Sequence, residues 1–145
     1  MTLTSSNKEK KKTASPLIGI MLLVISIILF TLTIPIGLIY GFFYKLVTKS
    51  IKGIGEFSLK ISISLDQLGN VLMQHLLNEL MIVKGGYKFG NRDETISSVL
   101  GKNIERKTLS KSGKFLNSIL DFMELGHSLN SIDYYIEPVE DNIKN

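Results

Sequence analysis

Residues 17–43 read LIGIMLLVISIILFTLTIPIGLIYGFF, and this stretch decides the fold. It contains no charged residue, and Ile, Leu, Val and Phe dominate it. A run of about 18 or more such residues is typical of a transmembrane helix, in which every peptide group is hydrogen-bonded within its own helix and none has to meet lipid unpaired. The sequence therefore predicts one membrane-spanning helix over residues 15–44.

Both ends of this span carry boundary signals. Ser15 is a suitable helix cap, and Pro16 suits the first helical position because its missing N–H would be unpaired there anyway. At the other end an aromatic belt precedes Lys45, a cation whose stem can reach back towards the head groups; the belt is formed by Tyr40, Phe42, Phe43 and Tyr44. Inside the run, Pro35 predicts a kink, since its ring crowds the carbonyl of Thr31.

A cleaved signal peptide is the alternative interpretation, because lysines precede the apolar run. The run is too long for that class of peptide, and no small-residue cleavage pattern follows it. Lysines flank the span equally on both sides, so the positive-inside rule gives no orientation. Within the span, Gly37 and Gly41 form a G-x-x-x-G pair, a spacing that allows two helices to pack closely, although Gly is also simply common in membrane helices.

The charge distribution favours a membrane over a nucleic acid. The chain has 145 residues and a formal net charge of +4. Residues 1–60 carry eight Lys and two Glu, a net +6, whereas residues 61–145 carry nine basic and eleven acidic residues, a net −2. A nucleic-acid-binding protein should carry its excess on the folded domain. Lysines beside a span fit attraction to anionic lipids, at about 1 kcal/mol each.

The rest of the chain predicts an all-α protein with a small helical domain. We expect a basic polar tail over residues 1–14, a juxtamembrane amphipathic segment over 45–63, the helical domain over 64–132 and an acidic flexible tail over 133–145. Residues 57–65 also alternate as a strand would, but candidate partner strands are short, so a helical or irregular segment is preferred. About 85 residues without Cys make a thin core, which predicts help from the membrane, a second copy or another partner.

Two helices are predicted within this domain. Ser64 and Gln67 form a capping-box pattern, and Gly85-Gly86 would end the helix that follows. One face of that helix is marked by Leu65, Leu68, Leu72, Leu76 and Leu80. A second helix is predicted over residues 109–125, with Thr108 or Ser110 as its cap, Gly126 beyond its end, and Leu116, Leu120 and Met123 inside.

Between these helices, residues 90–103 read GNRDETISSVLGKN. Asp93 is a strong candidate N-cap, Glu94 would lie in the first turn, and Gly101 could close the helix in a left-handed conformation. One apolar face is formed by Ile96, Val99 and Leu100. A short two-turn helix accounts for every residue type in this stretch.

The sequence predicts no enzyme, cofactor or metal site. Ser97 or Ser98 would need a base to act as a nucleophile, and the chain has only His75 and His127. His75 with Glu79 lacks the second His of a zinc-protease helix, and the SKSGK stretch at 110–114 lacks the first glycine of a phosphate-binding loop.

Residues 64–132 resemble a group of short, largely uncharacterised bacteriophage- and prophage-encoded proteins. The most specific feature is the D-E-T-x-S-S block at residues 93–98, together with Asp66-Gln67 and Asn70 in an earlier helix and His127 and Ser131 later. Two features depart from that group: Ser128 follows the histidine where relatives often carry Cys, and residues 85–91 form an extra loop. The resemblance implies a phage setting and no chemistry.

The expected function is therefore a structural or interaction role for a phage-encoded, single-pass membrane protein. It could be a virion membrane component that links the bilayer to capsid or genome; the alternative is a lysis-cassette or host-inner-membrane factor that oligomerises. Partners would be the lipid bilayer and a protein, either capsid or a second copy, with nucleic acid a weaker alternative. The predicted interaction motif consists of Asp93, Glu94, Thr95, Ser97, Ser98, Lys102, Arg106 and Lys107.

Overall fold

The computed structural model describes residues 15–132 and is all-α over that range, as predicted. Its helices are α1 (Pro16–Leu72), α2 (Gln74–Leu80), α3 (Ile96–Glu105), α4 (Lys111–Met123) and α5 (His127–Asn130). The described residues contain no strand, only an isolated antiparallel bridge between Ile82 and Leu109. The chain divides between Ile54 and Gly55 into two compact units, called unit 1 and unit 2 below. The two predicted tails lie outside the described residues.

Unit 1 contains the apolar part of α1. The helix begins at Pro16, and Ser15 caps it: the Ile18 N–H donates to Ser15 Oγ at 3.4 Å and the Gly19 N–H to the Ser15 carbonyl at 3.0 Å. This confirms the predicted start. Within residues 15–132, α1 is the one helix long and apolar enough to cross a membrane, and its most apolar window, of mean hydropathy 2.9, is 0% buried.

Two hydroxyls inside the apolar part of α1 are satisfied by the helix itself. The hydroxyls of Thr31 and Thr33 donate to the carbonyls of Ile27 and Leu29, each at 2.8 Å. Such internal bonds allow a helix to carry hydroxyls where no water is available. The backbone keeps helical dihedral angles through Pro35.

The non-helical residue in α1 is Ser50, with φ 58° and ψ −158°. Just after it the chain passes so close to the preceding turn that a Cβ at Gly53 would lie 2.5 Å from the Lys49 Cβ, so only glycine fits without a shift. Apart from Ser50, residues 45–63 are helical. The alternative strand at 57–65 is therefore wrong, and the preferred helical segment over 45–63 is confirmed apart from the break at Ser50.

Unit 2 is built around a small apolar core. Its buried residues come from α2, α3 and the loops that follow these two helices; they are Leu77, Ile82, Phe89, Val99, Leu100 and Leu109. Ile96, Leu116 and Leu120 are partly buried and pack against this cluster, as predicted. Met123 was predicted inside but is 80% exposed, since α4 reaches its end beyond the core.

The leucine face, defined as Leu65, Leu68, Leu72, Leu76 and Leu80, lies outside this core. Each of its members is 44–70% exposed. An amphipathic helix ordinarily buries its apolar face. Here the side turned inward is mainly polar, and Asn70 on that side is 0% exposed. Leu77 is the one leucine of α2 that is buried. The sequence thus marks the face correctly, but in the described chain nothing covers it.

Asn70 explains this orientation. Its Nδ2 donates to the carbonyls of Asn91 and Glu94, at 2.9 and 2.7 Å, and its Oδ1 accepts from the Gly90 N–H at 3.0 Å. One buried amide therefore satisfies three backbone groups of the loop before α3, which would be costly to leave unpaired. The predicted capping box is wrong: the Ser64 hydroxyl donates within α1, to the Lys60 carbonyl.

Gly101 lies inside α3 and does not end it, because the helix continues to Glu105. It is needed for packing: a Cβ at this position would lie 2.1 Å from the carbonyl oxygen of Ser128, which places α3 in close contact with α5. The predicted left-handed cap at Gly101 is therefore wrong.

Gly126, by contrast, has φ 74° just past α4, as a left-handed residue beyond that helix should. The predicted helix end at Gly85-Gly86 is also wrong, because α2 already ends at Leu80.

We predict that Asn70→Ala lowers the free energy of unfolding by about 3 kcal/mol, since it leaves buried backbone groups without partners. Urea unfolding of the full chain in mild detergent, followed by near-ultraviolet circular dichroism of its tyrosines, measures this change. Asn130→Ala, at an exposed position, is the control and should change stability by less than about 0.5 kcal/mol. Equal effects of the two substitutions would contradict the role of Asn70.

Candidate functional site

The amino-terminal end of α3 is fixed by side chains from two parts of unit 2. Thr95 is the N-cap, and its Oγ1 accepts from the Ser98 N–H at 3.0 Å. Asp66 of α1 adds a second cap: its Oδ1 accepts from the Ile96 N–H at 3.0 Å and its Oδ2 from the Ser97 hydroxyl, also at 3.0 Å. A carboxylate at this position is stabilised by the helix dipole. This contact joins α1 to α3 through residues 66 and 97, which are far apart in the sequence.

Asp93 is not the cap that the sequence predicts. Its side chain is 71% exposed and lies 3.7 Å from Arg92, itself 87% exposed. An exposed pair of this kind contributes little to stability. The D-E-T stretch contains two residues that can cap a helix, and the register that places Thr95 at the cap also brings Asp66 onto the next two N–H groups.

The structure separates the predicted interaction motif into two groups. Glu94 and Ser98 are 2% and 0% exposed, and Thr95 and Ser97 are buried as well, so these four side chains build the interior of unit 2. Lys102 is half-buried. Outward-facing members of the motif are Asp93, Arg106 and Lys107. A partner that contacts this region would meet the second group.

Glu94 anchors a polar cluster beside the core. Its Oε1 accepts from the Tyr87 hydroxyl at 2.9 Å and pairs with the ammonium of Lys102. The Lys102 ammonium lies 4.6 Å from the Tyr87 ring centre and the Arg106 guanidinium 4.8 Å from it, both within cation–π range. Glu94 was predicted to lie in the first turn of the helix, but it precedes the cap Thr95 and is paired inside unit 2.

This cluster changes the ionisation of its members. Burial raises the pKa of Tyr87 above its ordinary 10.0, and the hydrogen bond and charge of Glu94 raise it further. Burial alone would lower the pKa of Lys102, but its hydrogen bond with Glu94 and the charge of Glu94, joined by Tyr87, raise it above the ordinary 10.5. Both groups therefore hold their protons more tightly in the folded chain.

A cleft of about 330 Å³ in unit 2 brings Ser97 and His127 to the same opening. His127 Nδ1 lies 2.9 Å from Glu124 Oε2, while the Ser97 hydroxyl donates to Asp66. Sequence reasoning named both residues but could not place them together, because they lie thirty positions apart. The Ser97 hydroxyl is engaged by the carboxylate of Asp66, which caps α3. Over residues 15–132 no three His, Cys, Asp or Glu side chains are grouped as metal ligands.

Unit 2 exposes two apolar surfaces, and these are its strongest candidates for binding. One is the leucine face. The other, called the α4 face, has 46–92% of each side chain exposed and consists of Phe115, Ile119, Phe122, Met123 and Leu125. Monomeric proteins seldom leave contiguous apolar patches beyond a few hundred Å² uncovered, and larger ones mark protein or membrane contacts. In unit 1, Gly37 has open space where a Cβ would lie.

No protein-family model, curated protein or solved structure matches this chain. The candidate functional surfaces are therefore identified from the structure of this chain alone. Glu94, Thr95, Ser97 and Ser98 of the D-E-T-x-S-S block build the interior. The candidate interaction surfaces are the exposed apolar faces and the outward-facing charges that flank α3.

We predict that Thr95→Ala lowers the free energy of unfolding by about 1 kcal/mol, a typical loss for an N-cap. Asp93→Ala is the matched control, and we expect it to change stability by less than about 0.5 kcal/mol because Asp93 is exposed. The measurement is thermal and urea unfolding of the full chain in mild detergent. A larger effect at Asp93 than at Thr95 would show that the helix starts in the other register.

A second prediction concerns alkaline pH. The raised pKa values of Tyr87 and Lys102 mean that their contribution to stability is fully present below pH 10.0 and is lost as the pH rises through the folded-state values. The melting temperature should therefore fall above pH 10.0, and more steeply than that of the double variant Tyr87→Phe, Lys102→Met. Identical slopes for the two proteins would refute the coupling.

Proposed function

We propose that this chain is a single-pass membrane protein with a structural or interaction role, in which the apolar part of α1 holds unit 2 at a bilayer and unit 2 binds a protein. The observation that carries the proposal is the span itself. Its apolar window is 0% buried, so no part of the described chain covers a helix that water would solvate poorly. A bilayer supplies that cover.

The exposed surfaces of unit 2 support the second half of the proposal. The polar residues around the start of α3 are used internally, as the pairing of Glu94 with Lys102 and the cap from Asp66 to α3 illustrate. Unit 2 exposes two apolar faces beside its outward charges: Leu72 of the leucine face is 70% exposed and Phe122 of the α4 face is 92% exposed. Such a surface suits binding to a protein better than a reaction on a small polar substrate.

Within this class, we propose a bacteriophage-encoded virion membrane component that links the bilayer to capsid or genome. The resemblance carried by the D-E-T-x-S-S block supports the phage setting, and the lysines that flank the span support attachment to a bilayer. The outward-facing Arg106 and Lys107 supply a basic patch for an acidic protein partner or for phosphate. Nucleic acid is the weaker of these partners, because residues 61–145 carry a net −2.

The second candidate is a lysis-cassette or inner-membrane factor that acts by oligomerising. The open space beside Gly37, one member of the G-x-x-x-G pair with Gly41, favours this candidate because small residues allow close helix contacts in lipid. Mass spectrometry of gradient-purified virions and of infected-cell envelopes separates the two. Enrichment in virions supports the first candidate. Envelope enrichment, with membrane depolarisation when the chain is expressed alone, supports the second.

We predict that the full chain stays with the membrane pellet after carbonate washing. The double variant Ile25→Arg, Leu29→Arg should move to the supernatant, because each Arg near the middle of a span costs about 2.5 kcal/mol or more. Phe115→Arg with Phe122→Arg is the matched control: it makes the same change in charge on the α4 face and should remain in the pellet. Release of the unmodified chain by carbonate would contradict the membrane proposal.

A further inference from the structure

We propose that the leucine face of unit 2 binds the leucine face of a second copy of this chain, so that two chains anchored in one bilayer form a parallel dimer. The inference rests on the proposed membrane attachment and adds the partner and the surface. Its members, Leu65, Leu68, Leu72, Leu76 and Leu80, follow one side of the last turns of α1 and all of α2.

The area of the face is sufficient for a specific contact. With the adjoining Met73 and Val83, 44% and 48% exposed, the face offers about 600 Å² of apolar surface per chain, at the upper end for a typical monomer. Two such faces would bury about 1,200 Å² in total, the lower limit of stable protein interfaces. At about 1.5 Å per residue, the contact would be roughly 22 Å long.

The charges around the face select a protein over a lipid surface. Residues 61–83 contain Asp66 and Glu79 but no Lys or Arg. Asp66 is engaged by the N–H groups of α3, and Glu79 would be repelled by anionic head groups or phosphates. The α4 face differs, because Lys111 and Lys114 lie exposed in the same helix. Lipid would therefore favour the α4 face, and the leucine face is left for a protein.

A second copy fits this surface for a geometric reason. Chains inserted in one membrane with the same orientation present the same face at the same depth, which is the condition for a two-fold, self-complementary contact. Confinement to the membrane also raises their effective concentration. Unit 1 offers an independent feature of the same kind in Gly37 and Gly41.

The spacing of the leucines predicts a short contact. After Leu65 they recur at three, four, four and four residues, and the turn at Met73 between α1 and α2 interrupts the helix. A sustained 3.5-residue repeat, as in a long coiled coil, is absent from this stretch. We therefore expect a compact pairing of two faces centred near Leu72 and Leu76.

Cysteine cross-linking tests the contact directly, because the chain has no Cys of its own. Single Cys substitutions at each position of the leucine face are compared in vesicle membranes, under mild oxidation, with Phe122→Cys on the α4 face. Positions nearest the two-fold axis should form intermolecular disulfides several-fold more efficiently than position 122, since a disulfide requires Cα atoms within about 7 Å. Equal cross-linking at the leucine face and at position 122 would overturn the proposal.

A charge variant provides the second arm. Leu72→Glu with Leu76→Glu should raise the dimer dissociation constant of the full chain at least about tenfold in mild detergent, since it places like charges in the contact. Both residues are already exposed in the single chain, at 70% and 50%, so circular dichroism should show the fold retained. Phe115→Glu with Phe122→Glu is the control and should leave dimerisation unchanged.

The outcomes distinguish this inference from the membrane proposal. If the unmodified chain is monomeric by sedimentation and by single-molecule photobleaching yet remains in the carbonate pellet, the dimer is wrong and the membrane attachment stands. If a fluorophore at position 72 is quenched by lipid-borne quenchers, the bilayer occupies the face and the dimer is wrong. If the chain leaves the pellet, both fail.

Discussion

The hydrogen bonds that Asp66 and Asn70 make with residues 90–97 decide how unit 2 is built. Asn70 holds the loop before α3 through three backbone groups, and Asp66 caps the helix that follows. A buried polar side chain is tolerated only when its bonds are made, so the side of α1 that carries these two residues has to face inward. The rest of the architecture of unit 2 depends on this choice.

The same choice leaves the leucines outside. With Asp66 and Asn70 turned towards α3, the leucine face must point away from it, and the core is left to a few residues such as Leu77, Val99 and Leu100. A core this small gives little hydrophobic stabilisation for a unit of this size. The hydrogen bonds of Asp66 and Asn70 and the pairing of Glu94 with Lys102 therefore carry an unusually large share of the stability.

The sequence predicted those parts of the fold that depend on composition or on local chemistry. The helix start at Ser15-Pro16, the all-α class and the inward apolar side of α3 follow from short-range patterns. It failed where a distant partner decides. From the sequence alone, Thr95 and Asp93 are equally suitable caps, and the contact of Asp66 with the next N–H groups selects Thr95. Gly101 resembles a helix end in the sequence, but its close contact with Ser128 shows that it is needed for packing. The leucine spacing identified a face but not its orientation. An asparagine ordinarily lies on the solvent side of a helix, whereas Asn70 is 0% exposed.

A double-mutant cycle between Asp66 and Ser97 tests the central claim most directly. Unfolding free energies of the full chain in mild detergent are measured for Asp66→Ala, Ser97→Ala, the double variant and the unmodified protein. If Asp66 caps α3, the two substitutions should be coupled by about 1 kcal/mol or more, as residues in direct contact are. Additive effects within about 0.3 kcal/mol would mean that this side of α1 does not face α3. The leucine face would then have no structural reason to point away from α3.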